Sequence, residues 1–425
     1  MRTVDDLRQK QALPLNLKIA LTKDRIRQWV NEYGEDGVYV SFSGGKDSTV
    51  LLDIVRNKCG YTAVPAVFVD VPTQYPELKD FVMTFKNVTI IKPQISFMKV
   101  CEKYGFPLIS KEVSECVSGA RKYLRKIIDR QTDRQIIPYR YFYEKVTATG
   151  KYQIKANTPN ADAASLANPT RGGGTTSIEN SEELASILNE RMKNRKGGAN
   201  QRLAIMLGML TKDKENPIRA NIPEKDRSTF AQTKYKFFLE APFEISNMCC
   251  NVMKKNPAHK YFKETGRKPI TAQMASESRL RTQKWIQNGC NGFNMTIPTS
   301  NPMSFWTEND VLQYIVENNL PICSVYGDVV EDSVENCEGQ LSITDVFGIE
   351  TGLQKRYRTT GCSRTGCMLC GFGCHMEKEG QGRFEMLKET HPKMYALLDV
   401  VKNNGVTFRK AIEWTNEHGN LNIRL

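Results

Sequence analysis

Two groups of residues in this chain have the means to do chemistry. The first is the run Ser41-Phe42-Ser43-Gly44-Gly45-Lys46-Asp47-Ser48. A β-branched stretch, Val38 to Phe42, precedes the glycines, and an apolar stripe with helical spacing (Val50, Leu51, Ile54, Val55) follows them. The glycines therefore stand where a strand turns into a helix. Without side chains, Gly44 and Gly45 let backbone N–H groups close around phosphate oxygens, and the helix N-terminus adds unsatisfied donors. The Ser43 and Ser48 hydroxyls can donate to the same oxygens, and Lys46 offers a mobile positive charge. Phosphate would repel Asp47 if it pointed inward, so it is expected to cap the turn or to help hold a magnesium ion. The spacing is not that of the Gly-x-x-x-x-Gly-Lys-Ser/Thr loop. A bare strand-to-helix turn needs glycine but not this lysine and these serines, and their coincidence favours phosphate.

The second group is made of cysteines. The chain has twelve, and six crowd into two places: Cys249-Cys250, and Cys362, Cys367, Cys370 and Cys374. Vicinal thiolates plus the distant Cys367-Met368-Leu369-Cys370 make four soft ligands (Cys249, Cys250, Cys367, Cys370), suited to a [4Fe-4S] cluster or to zinc. Structural zinc sites space each ligand pair by two or more residues, whereas a cubane presents separate irons to adjacent sulfurs, so iron–sulfur is the better choice. Cys362 and Cys374 stay open: each is a substitute ligand, a sulfur-handling thiol or a plain loop cysteine. The scattered Cys59, Cys101, Cys116, Cys290, Cys323 and Cys337 read as small core residues.

Composition narrows the setting. Of 425 residues 40% are apolar and 25% charged, an ordinary globular balance with length for about two or three domains. No run approaches the roughly 20 apolar residues that span a bilayer, and the N-terminus lacks the apolar core of a secretory signal. A cytoplasmic protein without membrane association is expected, and in that reducing compartment a disulfide framework is not. The net charge of +13 favours polyanionic partners, and a nucleotide alone does not account for so broad an excess.

The elements that must position these residues read as α/β. Leu17 to Val30 is an amphipathic helix; Ala66-Val67-Phe68-Val69, ending at Asp70, and Val88 to Ile91 are buried strands; Phe97 to Tyr104 is helical. The order implies a doubly wound parallel sheet with crossover helices. From about Gly150 to Thr229 the texture changes: Asn157 to Ser177 is rich in small and polar residues, and Glu182 to Met209 is helical in pattern but interrupted by Gly197-Gly198. This stretch reads as an insertion with a mobile loop and one or two helices. A helix returns over Trp306 to Asn318, capped by Thr307 or Ser304. The expected segments are 1–149, a nucleotide-binding α/β part; 150–230, the insertion; 231–330, the rest of the α/β domain with the Cys-Cys pair; and 331–425, a cysteine-rich and helical C-terminal part.

The run Ser41 to Ser48 resembles the pyrophosphate loop of the adenine-nucleotide alpha-hydrolase superfamily, which includes ATP pyrophosphatases, tRNA sulfur-transfer enzymes and phosphoadenylyl-sulfate reductases. Val69-Asp70-Val71-Pro72-Thr73-Gln74-Tyr75-Pro76-Glu77 and Pro107-Leu108-Ile109-Ser110-Lys111-Glu112 are similar to the reductase branch. So are Gly266 to Thr271, Ser276 to Arg281, Phe305 to Val311 and Asn319 to Ile322. The Cys-Cys pair with a distant Cys-x-x-Cys resembles the cluster-bearing adenylyl-sulfate reductases. The chain is thus identified as a member of the phosphoadenosine phosphosulfate reductase family, iron–sulfur branch. The resemblance implies that Ser41, Ser43, Gly44, Gly45, Lys46, Asp47 and Ser48 hold the phosphates of ATP or adenylyl sulfate with Mg2+, that Asp70 borders the adenosine, and that Lys111 joins the site. Arg279 and Arg281 are candidates for a bidentate grip on phosphate or sulfate, with a salt bridge from either to Glu277 as the plainer alternative.

One departure shapes the functional expectation. The reductase branch uses a nucleophilic cysteine in a C-terminal Glu-Cys-Gly-Leu-His type segment, and no cysteine follows Cys374 here. The loop keeps the Ser-Gly-Gly-x-Asp-Ser form of members that cleave ATP between the α- and β-phosphates. The expectation is an ATP pyrophosphatase that adenylates an acceptor for sulfur transfer, with Lys46, Asp47, Arg279 and Arg281 in the chemistry and tRNA or DNA as the acceptor. The alternatives are a sulfonucleotide reductase whose thiol has moved to Cys374 or Cys362, and a non-catalytic nucleotide-sensing subunit.

Overall fold

The computed structural model describes residues 2–127, 152–156, 174–178, 202, 205–206, 225, 228, 230–332 and 355–425. They belong to two compact units, Met1–Gln94 with Met253–Cys367, and Ile95–Val252 with Met368–Leu425. The seams fall at residues 94, 252 and 367, away from the segment boundaries expected at 149, 230 and 330. Spatial packing cuts across the order of the sequence: the first unit takes one piece from each side of the long excursion.

The first unit is built on a six-stranded sheet in the order β3-β2-β1-β7-β9-β8. The strands are β1 (Val38–Ser41), β2 (Ala66–Val69), β3 (Val88–Ile91), β7 (Lys268–Ile270), β8 (Asn291–Gly292) and β9 (Thr299–Ser300). All neighbours pair in parallel except β8, which runs antiparallel to β9. The chain winds outward from β1 to β2 and β3, then returns to pair β7 with the other side of β1. That reversal makes a doubly wound α/β sheet, and such sheets open a crevice where the strand order turns back. Val38, Tyr39 and Val40 are all buried, as a strand covered on both faces requires.

Helices α1 (Val4–Gln11) and α2 (Leu15–Tyr33) come first, α3 (Lys46–Asp53) follows β1 directly and α4 (Pro76–Met83) follows β2. Ile26, Trp29 and Val30 of α2, three and four residues apart, share one core with Val50, Leu51 and Leu52 of α3. Into the same core packs a later helix, Glu308–Glu317, through Val311, Leu312, Tyr314 and Ile315. Its N-cap is Thr307, whose hydroxyl accepts from the Asp310 amide while the Asp310 carboxylate accepts from the Thr307 amide at 2.6 Å. Of the two caps expected, Thr307 is therefore the one used.

A buried ion pair ties this helix to α2. The Lys18 Nζ donates to both carboxylate oxygens of Asp310, at 2.8 and 2.7 Å, with the two side chains 1% and 6% exposed. Close by, the Trp306 indole donates to the Thr22 hydroxyl at 2.8 Å.

In the second unit, α5 (Phe97–Tyr104) leads into β4 (Leu108–Ile109) and α6 (Lys111–Ile127), and β4 pairs in parallel with β12 (Gly371–Phe372). The Arg121 guanidinium, fully buried, donates to the carbonyls of Phe238 at 3.3 Å and Ala241 at 2.8 Å. Asn403 fastens the C-terminal part to α5, donating to the Cys101 and Glu102 carbonyls at 2.8 and 2.9 Å. Cys101 and Cys116 are buried here, as are Cys323 and in part Cys59 and Cys290 in the first unit, in keeping with core roles; Cys337 lies outside the described residues.

The insertion departs from its expected form. Its described part is an antiparallel pair, β5 (Tyr152–Ala156) with β6 (Gly174–Ile178). The stretch expected to be loop up to Ser177 thus ends in strand: Thr175, Thr176 and Ile178 are β-branched, and the polar residues before them mask that tendency. Most of Glu182 to Met209 lies outside the described residues.

Replacing Lys18 by methionine leaves the Asp310 carboxylate buried with one charged partner fewer. Loss of about 3 kcal/mol of stability is expected for breaking such a pair, read as a lower urea midpoint with an unchanged slope.

Candidate nucleotide site

The loop between β1 and α3 has the geometry that its sequence asks for. Gly44 adopts φ of 73°, and a Cβ there would come within 2.8 Å of Val82 Cγ2, so both the backbone angle and the space require glycine. Gly45 is the N-cap of α3 in extended conformation. The amides of Lys46, Asp47 and Ser48 open the helix and have no intrahelical acceptor. The serines brace the turn: the Ser48 Oγ accepts from the Ser43 amide at 3.2 Å, lies 3.1 Å from the Ser43 Oγ and donates to the Gly45 carbonyl at 2.9 Å. The Ser43 Oγ also accepts from the Gly45 amide at 3.3 Å.

Lys46 is buried, not swinging in solvent. Its ammonium donates to the Ser363 carbonyl at 2.7 Å and pairs with Glu308 at 2.9 Å. Its amide donates to the Tyr326 hydroxyl at 3.2 Å, and that hydroxyl lies 2.7 Å from the Thr365 Oγ1. Burial pushes the Tyr326 phenol up to about 12, so the hydroxyl keeps its proton. Beside them sits Asp47. Its Oδ1 is buried without a hydrogen-bond partner among the described residues, and burial raises its carboxyl above the ordinary range against the pull of Lys46, Arg364 and Arg281. A buried, unsatisfied carboxylate oxygen at the mouth of a phosphate loop suits a magnesium ligand and not a turn cap.

Beyond the C-terminal ends of β1, β2 and β7 opens a cavity of about 620 Å³. Its walls include Ser41, Ser43, Val69, Thr271, Met274 and Arg281, with Lys254, Lys255 and Lys284 also on its lining. Volume and mixture suit a nucleoside next to phosphates. Arg281 reaches this cavity while pairing with Glu277, so the plainer alternative for it is realised and any grip on a ligand must share or break that pair. Arg279, the first residue of the helix Arg279–Asn288, is exposed. Asp70, just past β2, is paired with Lys79 at 3.0 Å. Lys111 opens α6 in the second unit.

The cysteines are divided. Cys362 and Cys367 are half-buried in the first unit, where Cys367 forms an isolated bridge with Gln74. Cys249, Cys250, Cys370 and Cys374 belong to the second unit; Cys249 and Cys250 share the single helical turn Met248–Cys250, and the Cys374 thiol donates to the Cys370 carbonyl at 3.4 Å. Among the described residues no group of three or more Cys, His, Asp or Glu side chains is placed to hold a metal ion. His375 faces the Tyr235 hydroxyl at 3.5 Å.

Sequence reasoning passed over Tyr326, Ser363, Thr365 and Glu308. Glu308 lay in plain view, inside the family-like run Phe305 to Val311. Tyr326, Ser363 and Thr365 carried no signal, because their nearness to Lys46 arises from pairings across 280 and 317 positions.

Replacing Asp47 by asparagine tests the assignment of its carboxylate. With the folded-state value raised, ionising this group opposes folding from about pH 4 upward. The D47N protein is expected to melt higher than wild type at neutral pH, with the gap closing toward pH ~4. Affinity for Mg-ATP should fall about tenfold or more, as for loss of a charged contact.

No curated protein matches the chain. A crystal structure of phosphoadenylyl-sulfate reductase from Candida auris in a phosphate complex is similar at 12% identity, over 76% of this chain and 91% of that one, with a TM-score of 0.29. Residues 37–127 and 207–371 match the phosphoadenosine phosphosulfate reductase domain, and the interval between the two matched parts spans most of the insertion. With more than half of its length matched, the chain belongs to the phosphoadenosine phosphosulfate reductase domain family.

Proposed function

We propose that this protein binds ATP with magnesium on the Ser43–Ser48 loop and transfers the adenylyl group to an acceptor, releasing pyrophosphate, as the activating step of a thiolation. The observation that carries this reading is the buried, unpartnered Asp47 Oδ1 beside the loop amides and the Lys46 ammonium. Asp47 would hold a magnesium ion, which when bound supplies positive charge against the phosphates. Lys46 and the amides of Asp47 and Ser48 would take up charge that develops on the phosphates during in-line attack at the α-phosphorus. The adenosine would lie in the cavity lined by Val69, Thr271 and Met274, and Arg281, released from Glu277, would reach the α-phosphate.

The net charge of +13 and the lysines on the cavity lining support a nucleic-acid acceptor. The cysteine pattern supports a [4Fe-4S] cluster on Cys249, Cys250, Cys367 and Cys370. Anaerobic purification with iron and sulfide analysis tests it: Cys367→Ser should lose metal and colour with nucleotide affinity kept, and a colourless, iron-free wild type would end that part of the proposal.

A second reading has its own support. Cys362 lies in the segment whose Ser363 carbonyl meets Lys46, which places a thiol one residue from a contact of the loop. With adenylyl sulfate, a Cys362 thiolate would attack sulfur, forming S-sulfocysteine and releasing AMP; a second thiol would then displace sulfite and leave a disulfide. No helix among the described residues is long and apolar enough to cross a membrane.

Incubating the protein separately with Mg-ATP plus a tRNA or DNA pool and with adenylyl sulfate plus dithiol decides the matter. Pyrophosphate is expected from the first, with turnover reduced about 10²-fold in Lys46→Ala, as for loss of one charge-stabilising donor. Sulfite from the second would favour the reductase, and nucleotide binding with neither product would leave a sensing subunit.

A further inference from the structure

The loop amides and Lys46 are not waiting open. Residues 361–366, between the antiparallel pair β10 (Val329–Glu331) and β11 (Tyr357–Thr359) and the cysteine Cys367, form a strap whose tip lies on the phosphate loop. Its base is fixed by backbone bonds: the Thr360 amide to the Asp328 carbonyl at 2.9 Å, Gly361 to Tyr326 at 2.8 Å and Cys362 to Val325 at 2.9 Å. Glycine is needed there, since a Cβ on Gly361 would fall 2.5 Å from the Val325 carbonyl oxygen.

The tip is held differently. Among the described residues two hydrogen-bonding contacts bind it, the Ser363 carbonyl on the Lys46 ammonium and the Thr365 hydroxyl on the Tyr326 hydroxyl, which in turn accepts from the Lys46 amide, and the Arg364 charge acts on Asp47. The fit is close, with a Cβ on Gly45 lying 3.1 Å from both the Thr365 Oγ1 and the Tyr326 hydroxyl. Ser363, Arg364 and Gly366 are exposed, and nothing lies within 4 Å of a Cβ placed on Gly366. An oxygen atom on the lysine and another on the first helical amide are what a phosphate chain would supply.

We infer that the strap tip and Tyr326 are an internal occupant of the phosphate site, an autoinhibitory contact that the nucleotide displaces. The inference rests on the phosphate-loop reading above and adds that the free protein is closed by its own residues. The apparent dissociation constant of a nucleotide is then its intrinsic value divided by the fraction of molecules with the tip withdrawn. Weakening the tip raises that fraction and tightens binding. Adenosine, which has no phosphate, is indifferent to it.

Calorimetric titration with α,β-methylene-ATP and with adenosine, on wild type, Tyr326→Phe and Thr365→Ala, tests this. Loss of one hydrogen bond of ordinary net strength corresponds to about fivefold. Each variant is expected to bind the ATP analogue about fivefold tighter and adenosine unchanged. Hydrogen exchange should quicken at Ser363 to Gly366 of wild type when the analogue is added. Weaker analogue binding in both variants, or slower exchange at the tip on binding, would make Tyr326 and Thr365 phosphate ligands and overturn the inference. Unchanged affinity in both variants overturns it too, while leaving the loop assignment standing. If wild type binds no analogue, whereas a loop with accessible donors should, the phosphate-loop reading fails and takes the inference with it.

Discussion

Much of this structure depends on how close the chain can come to itself between β1 and α3. Gly44 turns with a positive φ against Val82 and Leu78, and Gly45 leaves room for two hydroxyls within van der Waals reach. A side chain at the first position would press on Leu78 and Val82 of the helix Pro76–Met83, and Val82 shares the core of Val50, Leu51 and Leu52. A side chain at the second would crowd the Tyr326 and Thr365 hydroxyls, each 3.1 Å from its Cβ. The same two residues thus fix the packing of the core and the placement of the donors that make the loop useful.

Electrostatics around the loop follow from that closeness. Lys46, Arg281 and Arg364 face Asp47, Glu308 and Glu277, with Lys46 buried, Asp47 half-buried and Glu308 and Arg364 open to solvent. Burial, with Arg364 beside it, lowers the Arg281 guanidinium below its ordinary value, and burial raises the Asp47 carboxyl. Both shifts oppose charge on these two groups. The anionic ligand and metal proposed above would reverse the balance, giving the guanidinium an anion and the carboxylate a cation.

How much of this was legible in the sequence varies with the range of the interactions. The strands β1, β2 and β3 and the helix α5 are short, strongly patterned and flanked by turn residues, so their bounds could be read within a residue or so. The loop was legible as a glycine turn from strand to helix because the residues that shape the turn lie within eight consecutive positions. Val38 and Lys268 pair across the sheet, and no local pattern announces it. Tyr326 and Ser363 reach Lys46 by the same kind of long-range packing. The β5–β6 pair was missed for a different reason: Asn, Ala and Gly between its strands dilute the average that marks a strand. For Arg281 the pairing with Glu277, four residues earlier, was visible as an ordinary helix-type neighbour relation and proved to be present.

The position of β7 has a consequence for how the molecule comes into being. Strand β1 needs neighbours on both sides, β2 at once and β7 only after more than two hundred further residues have been made. Until then one edge of β1 offers unpaired backbone groups, flanked by apolar side chains, to any passing strand. Closing so large a loop is slow, and it is the kind of step at which partly made chains stick together. During synthesis the chain should therefore be most exposed to aggregation while residues 95 to 267 emerge, a window in which a chaperone on the nascent sheet would be of greatest use.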